Sequence, residues 1–284
     1  MKIGIIGAGP AGISCALQLK RYNLNPSIFE KNKISGTIDE AYKIYNFLGF
    51  PDGIEGKKFA KRLLKTVNKF SLKVIFDEIK NLDYKNNKFY LTGKKNYKFD
   101  ILIIASGTFP KHFYGFDDFD FLQNIRNKRN KEIGIIGGSD VAFDYALSLK
   151  KAKNIFILHK SDKPKAIEDL KKLLFKNKNI HYLNNCKIKK IEKVNNKIKL
   201  SFKRNGKENF LQLDYLLNAT GRVPEKRFYS GNFKNKEKEL VRKGLLYLIG
   251  DVKHPNYRQI SIAQGDGILI AQKIYEKIKR DGNN

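Results

Sequence analysis

Tryptophan is absent from this 284-residue chain, and cysteine occurs only twice, at Cys15 and Cys186. Two cysteines exclude a disulfide-stapled scaffold and any zinc site built from four cysteines. They suit a reducing, cytoplasmic setting. No apolar run reaches the roughly 18 residues that crossing a membrane requires. Lys2 and the apolar run after it imitate a short signal peptide, but a near-copy of that segment at residue 132 argues for a structural element instead. Acidic residues are scarce: 28 Asp+Glu stand against 57 Lys+Arg, a net charge of +29. Such a surface attracts polyanions and acidic partners. The lysines run along the whole chain among many Asn, Ile, Phe and Tyr, all residues with A/T-rich codons, so compositional drift accounts for much of the excess. No nucleic-acid recognition motif accompanies the charge, and aromatic residues are not interleaved with basic ones in a defined patch; nucleic acid is not an expected partner. Hydrophobic residues are plentiful at 41%, enough for a sizeable core, and the length allows two domains of roughly 100–200 residues.

An internal repeat organises the chain. Lys2-Ile-Gly-Ile-Ile-Gly7 recurs as Glu132-Ile-Gly-Ile-Ile-Gly137. Each copy leads into a helical pattern (Ala16–Lys20, Ala146–Lys150) and then a short apolar strand (Pro26–Glu30, Asn154–His159). Strand, glycine turn, helix and strand thus occur twice, which predicts two βαβ units and parallel sheets buried on both faces. Further buried strands are expected at 100–107, ending in the small-residue turn Ala105-Ser106-Gly107, at 213–221 and at 245–251. Segment 57–70 reads as a basic amphipathic helix, 72–99 and 186–213 as short antiparallel strands, and 259 to about 280 as a helix.

Gly7-Ala8-Gly9-Pro10-Ala11-Gly12 matches G-x-G-x-x-G between a strand and a helix, with Glu30 closing the next strand. In that context the pattern signals a dinucleotide. Gly7 permits the tight turn, Gly9 lets backbone approach a pyrophosphate, and Gly12 packs helix against strand. The helix N-terminus supplies N–H groups for phosphate, and Glu30 accepts from ribose hydroxyls. The second copy is degraded: Gly137-Gly138-Ser139-Asp140-Val141-Ala142. Ser139 replaces the second motif glycine. A glycine-only backbone there would strain it by about 1–3 kcal/mol, and the charge of Asp140 would repel phosphate. The following strand ends in His159-Lys160 rather than an acid. Lys160 and Lys165 either meet a 2′-phosphate, favouring NADPH over NADH, or form an ordinary solvated turn.

The chain resembles the low-molecular-weight thioredoxin reductase group of FAD/NAD(P)-dependent flavoproteins over nearly its whole length. Asn46-Phe-Leu-Gly-Phe-Pro-Asp-Gly-Ile54, with Gly36 ahead of it, is similar to the signature E-N-x-P-G-F-P-x-G-I. Ala219-Thr-Gly-Arg-Val-Pro224 is similar to the A-T-G-R-x-P hinge strand. Gly250-Asp251, Tyr257-Arg258-Gln259-Ile260 and Ala263–Gly267 are similar to the C-terminal flavin motif. The resemblance implies an α/β fold of two Rossmann-like, three-layer (ββα) domains. FAD would occupy residues 1–110 with 226–284, and NAD(P)H an inserted domain at 111–225. It implies FAD contacts from Gly7, Gly9, Pro10, Ala11, Gly12, Glu30, Lys31, Gly36, Thr37, Asn46, Ala105, Ser106, Gly107, Gly250, Asp251, Arg258, Gln259 and Ile260. Thr37 stands where the group has Gln. Nicotinamide-nucleotide contacts would come from Gly137, Gly138, Ser139, Asp140, Val141, His159, Lys160 and Lys165, with NADPH favoured. His159–Lys165 replaces the group's H-R-R-x-x-x-R, so lysine point charges stand where guanidinium forks would.

One departure dominates. The group's redox-active Cys-x-x-Cys lies just before the second nucleotide strand, and residues 109–132 hold no cysteine. Cys15 and Cys186 are expected to be structural. Without a dithiol, electrons cannot leave by thiol–disulfide exchange. The expectation is a flavoprotein NAD(P)H oxidoreductase whose reduced flavin serves an acceptor directly: a small molecule, or an acidic carrier such as ferredoxin or flavodoxin. The alternatives are a ferredoxin- or flavodoxin-NADP reductase and a flavin-binding protein with a non-functional nicotinamide site. No catalytic acid or base stands out; His112 is expected at the surface. A homodimer follows from the resemblance alone.

Overall fold

Near-continuous apolar runs make strands buried on both faces, and the two Ile-Gly-Ile-Ile runs lie within separate parallel sheets in the computed structural model, as Ile3–Ile6 and Glu132–Ile136. The structure describes residues 1–113 and 115–282; Tyr114 and the last two residues, which the expected domain ranges include, lie outside the described residues. The chain divides into two units. Residues 1–39, 45–109 and those from 223 onward form the first, and residues 40–44 with 110–222 the second. No helix among the described residues is long and apolar enough to cross a membrane.

In the first unit five parallel strands lie in the order Leu246–Leu248, Ile101–Ile104, Ile3–Ile6, Ser27–Glu30, Lys73–Phe76. On one face pack the opening helix Pro10–Arg21 and the closing helix Ile260–Gly282. They approach so closely that a side chain on Gly267 would fall 2.5 Å from the Ala11 carbonyl oxygen. On the other face lies an antiparallel sheet of Asn81–Lys85, Lys88–Thr92 and Asn96–Phe99. Phe89, Leu91 and Phe99 interleave there with Phe29, Leu102 and Ile104 of the parallel sheet. Gly4 marks the tightest point, since a Cβ there would stand 2.9 Å from the Phe99 ring.

The second unit repeats the plan. Its parallel order is Ile180–Leu183, Asn154–Leu158, Glu132–Ile136, Tyr215–Asn218. The helix Asp140–Ser148 covers one face through Ala142, Phe143 and Ala146. The antiparallel strands Cys186–Val194, Lys197–Arg204 and Lys207–Leu213 cover the other through Ile198, Leu200, Phe202 and Leu213. A Cβ on Gly134, the counterpart of Gly4, would stand 2.5 Å from a Leu213 methyl.

Two expectations need correction. Lys73–Phe76 pairs parallel with Ser27–Glu30 rather than antiparallel, its adjacent half-buried Val74 and Ile75 completing the edge of the main sheet. Residues 40–44, expected with the flavin domain, belong to the second unit. They are held there by specific bonds. The Tyr42 N–H donates to both oxygens of Asp144 (3.1 and 3.0 Å), and the Tyr145 hydroxyl donates to Glu40 Oε2 at 3.3 Å. Arg126 donates to the Glu40 carbonyl. The helix Gly231–Arg242, capped by Ser230 Oγ accepting from the Phe233 N–H, was not legible in the sequence, since lysines hide its short apolar stripe.

Burial pushes the Asp144 carboxyl up to about 6, against the bond from Tyr42 and the charge of Arg126. A carboxyl raised in the folded state contributes stability below its unfolded value of about 3.9, and that contribution is lost as pH rises through the folded value. Asp144→Asn keeps an acceptor for Tyr42 and removes the titration. Urea unfolding at pH 4, 5, 6 and 7 is expected to show the variant gaining on the wild type as pH rises. Parallel curves would remove Asp144 as the titrating group.

Candidate dinucleotide sites

The glycines of the opening turn serve different ends. Gly7 adopts φ +110°, and a Cβ on it would lie 2.2 Å from the Ala105 carbonyl oxygen. A Cβ on Gly12 would lie 2.0 Å from the Gly7 carbonyl oxygen. Both are glycines because the protein packs against itself there. Gly9 has an ordinary φ of −81°, and a Cβ on it would meet no atom of the described residues within 4 Å. Nothing inside the protein requires that glycine; the space it keeps open faces outward. Gly9 caps a helix with Pro10 in its first turn and no side-chain cap, so the N–H groups of Ala11 and Gly12 remain orphan donors at a positive helix end. The Glu30 carboxylate is held beside the turn by the N–H groups of Ala8 (3.0 Å) and Asn32 (2.9 Å). The turn opens where strand order reverses, between Ile3–Ile6 and Ile101–Ile104, the crevice in which open α/β sheets bind ligands. A dinucleotide pyrophosphate fits this cradle.

The other residues expected around FAD belong to the same unit. Ser35 donates its N–H to the Ala8 carbonyl at 2.9 Å, which brings Gly36 (φ +63°) over Gly9, with the exposed Thr37 following. Ser35 itself is buried at φ +111°, a conformation that strains any residue with a side chain. The Ala105–Gly107 turn is tied down by Ser106 Oγ, which donates to the Glu225 carbonyl at 2.6 Å, and by the Glu225 N–H, which donates to Gly107 at 3.0 Å. Glu225 is buried and forked by Arg227, whose guanidinium stacks 4.1 Å over the Phe109 ring. Burial raises the Glu225 carboxyl, but the Arg227 bonds and the charges of Arg227 and Lys31 hold it below the usual range. Lys31 therefore lies near enough to Glu225 for its charge to act on it.

At the far side, Gly250 (φ +69°) and Asp251 form a short 3-10 turn. Asp266 fixes it: its carboxylate accepts from the Gly250 N–H at 2.9 Å and meets Lys253 and His254, each at 3.1 Å. Arg258 and Gln259 precede the closing helix, which begins at Ile260. Asn46 Nδ2 donates to Gln259 Oε1 at 2.7 Å, joining two motifs 213 positions apart. Sequence reasoning missed Glu225, Arg227, Ser35 and the role of Asp266. Only Asp266 left a signal, inside the Ala263–Gly267 motif.

The second turn has the same skeleton with different contents. Gly137 (φ +146°) takes the place of Gly7, its Cβ position 2.4 Å from the Ala219 carbonyl oxygen. The expected backbone strain at Ser139 is corrected: its φ is −100° and ψ 177°, extended backbone open to any residue. What Ser139 does instead is put atoms where Gly9 leaves space. Gly138 is needed for another reason, since a Cβ there would sit 2.3 Å from the His159 ring. His159 is buried with Nδ1 2.7 Å from the Tyr182 hydroxyl. Burial, then the charges of Lys165 and Lys160, lower its pKa, so the ring is neutral at pH 7. The loop after His159 folds back on the turn: the Lys165 N–H donates to Gly138 (2.8 Å) and the Ile167 N–H to Asp140 Oδ1 (2.9 Å). Asp140, expected to repel phosphate, has its charge engaged by that N–H. Val141 is half-buried behind it, and Lys160 and Lys165 are exposed on the loop. His112 is exposed and lies 3.0 Å from Asp117.

Both cysteines are free thiols within cores. Cys15 is fully buried on the opening helix, and burial pushes its thiol up to about 12. Cys186 begins a strand of the second unit, is 3% exposed and points at the Asn184 carbonyl; burial raises it too, against the charge of Arg204. In the stretch ahead of Glu132–Ile136 stands a short helix, Leu122–Ile125, whose two ends plug the helical-face core of the unit.

The contrast between Gly7 and Gly9 yields a prediction. Gly9→Ser should leave urea stability within about 0.5 kcal/mol while lowering the flavin retained per polypeptide, read by absorbance after gel filtration. Gly7→Val should cost on the order of 1–3 kcal/mol or more. Equal flavin retention by wild type and Gly9→Ser would show that the open space serves no ligand.

Residues 1–267 match the pyridine nucleotide-disulphide oxidoreductase family. Thioredoxin reductase of Listeria innocua is 29% identical over 97% of this chain and 94% of its own. The fold is shared with Lactococcus lactis thioredoxin reductase in its FR conformation (TM-score 0.82, 20% identity, 97% of this chain and 98% of the other). It is shared as well with the bacillithiol disulfide reductase Bdr (YpdA) of Staphylococcus aureus (TM-score 0.76, 22% identity, 98% of each chain). Two βαβ units, each opened by a glycine turn and backed by its own antiparallel sheet, agree with these likenesses: the chain belongs to the pyridine nucleotide-disulphide oxidoreductase family and is thioredoxin reductase-like within it.

Proposed function

We propose that this protein is an FAD-dependent NAD(P)H oxidoreductase that works without a dithiol. The first unit would hold FAD, the second NAD(P)H, and the electrons would go to an acceptor directly. The observation that carries this reading is the state of the sulfur. The chain has two cysteines; they lie in different units, both buried, both with thiols held protonated. Neither is a thiolate nucleophile at neutral pH.

When bound, FAD supplies hydride acceptance and onward electron transfer. The residues of the chain supply the rest. Gly9 admits the pyrophosphate to the N–H groups of Ala11 and Gly12, and Glu30 keeps lone pairs for ribose hydroxyls. The positive end of the closing helix at Ile260 favours negative charge on whatever ring it faces. Gln259, fixed by Asn46, orients that end. In the second unit Lys160 and Lys165 offer charge to a 2′-phosphate, so NADPH is favoured over NADH, though less selectively than paired arginines would achieve. A homodimer is what the resemblance to thioredoxin reductases implies, and two unbridged cysteines suit a cytoplasmic setting. Acceptors compatible with missing thiols are a one-electron carrier protein, or a small molecule, including a low-molecular-weight disulfide that brings its own sulfur.

The backbone bonds that close the His159–Ile167 loop over Gly138 favour a second reading, a flavin protein whose nicotinamide site does not turn over. Anaerobic titration separates the two. NADPH is expected to bleach the flavin band at lower concentration than NADH, and Ser139→Gly to tighten NADPH by roughly fivefold, about 1 kcal/mol. Bleaching by neither nucleotide in wild type and variant would contradict the proposal and support the second reading.

A further inference from the structure

We infer that the loop 45–51 and the helix Gly56–Lys69 form a docking face for a small acidic electron-carrier protein. The inference rests on the reading above, in which electrons leave the flavin without a thiol relay.

The helix carries Lys57, Lys58, Lys61, Arg62, Lys65 and Lys69 and no acid. Phe59, Leu63 and Val67 are buried, so the six cations crowd the solvent side, and each is exposed. Helix stability does not explain every placement. Lys57 sits in the first turn, where the helix end is already positive and a cation is unfavourable. Asp52 and Glu55 precede the helix, and Glu55 is taken by Lys58 at 3.0 Å. The field of this face is therefore strongly positive.

The loop is anchored on the same helix. Phe47 meets Phe59 edge-to-face at 5.0 Å, and Arg62 lies 5.2 Å over the Phe50 ring. Anchoring these rings leaves Leu48 95% exposed at the tip and Tyr45 52% exposed. Tyr257, 70% exposed, lies two residues before Gln259, the partner of Asn46 in the loop. An apolar centre bordered by charge of one sign is the anatomy of a protein interface. Charge selects the occupant. At this face a second copy would set one cationic helix against another; an acidic protein would be drawn in and oriented. A carrier seated on this loop touches the segment that fixes Gln259, among the residues assigned to the flavin. The balance closes: one NADPH yields two electrons, two one-electron carriers are reduced, and NADP⁺ and one proton are released.

The test uses the flavin-loaded protein with NADPH as donor and three acceptors: ferredoxin, flavodoxin and ferricyanide. One variant carries Lys57→Gln, Lys58→Gln, Lys61→Gln and Lys65→Gln. A control of equal charge loss carries Lys187→Gln, Lys199→Gln, Lys203→Gln and Lys207→Gln, all exposed on the outer sheet of the second unit. At low salt the first variant is expected to raise KM for a protein carrier about tenfold. The control should raise it less than about twofold, with ferricyanide turnover unchanged in both. The docking face is overturned if wild type reduces ferricyanide but neither carrier, if the first variant leaves carrier KM unchanged, or if both variants raise it equally. Loss of ferricyanide turnover in wild type would instead strike the reading on which the inference rests, and the inference with it.

Discussion

Everything at the opening of the chain follows from a contact that leaves no room for a side chain. The turn after Ile3–Ile6 runs so close to the Ala105 carbonyl, and the first helix so close to the turn, that positions 7 and 12 accept only glycine. That approach sets the helix end into the crevice between two diverging strands. It also brings the Ala105–Gly107 turn against the glycine turn, beside which Glu30 is held by the Ala8 N–H. The second unit repeats the approach at Gly137 and Ala219, but there the helix stands far enough off to admit the Cβ of Ala142. The same backbone device thus carries two sites of unequal openness, one with a vacant position at Gly9 and one filled by Ser139.

Two features set the chemistry of this chain, the state of its sulfur and its charge. Where a dithiol would precede the second parallel sheet, Leu122 and Ile125 fill a core. The remaining thiols are packing residues: Cys15 lies where the opening and closing helices nearly touch, and Cys186 lies under an antiparallel sheet. Burial holds both protonated, which removes their nucleophilicity without any change of backbone. Cations outnumber acids along the chain by 57 to 28, and on the helix Gly56–Lys69 two of them stand in the first turn, which its dipole opposes. Chemistry on the flavin alone, with electrostatics guiding what arrives, is consistent with both features.

Much of this was legible in the sequence because it rests on local rules. The repeated Ile-Gly-Ile-Ile run, the glycine spacing and the alternating strands at 186–213 each follow from backbone sterics or periodicity over a few residues. What was not legible depends on distant partners. Nothing near Glu225 announces that it will clamp Gly107 and be clamped by Arg227. Residues 40–44 join the second unit only because Asp144 and Arg126, about a hundred positions later, present the right acceptor and donor. Lys73–Phe76 was misassigned because four residues carry no mark of the direction of their neighbour. Ser139 looks strained on motif grounds alone, and its extended backbone in the structure removes that concern.

The central claim is that flavin is the sole electron store. Anaerobic dithionite titration of the flavin-loaded protein measures this directly, since each redox group present adds its own electron pair to the count. The account predicts complete reduction at about one two-electron equivalent per bound flavin. An endpoint at about two equivalents would reveal a disulfide taking part and would contradict it.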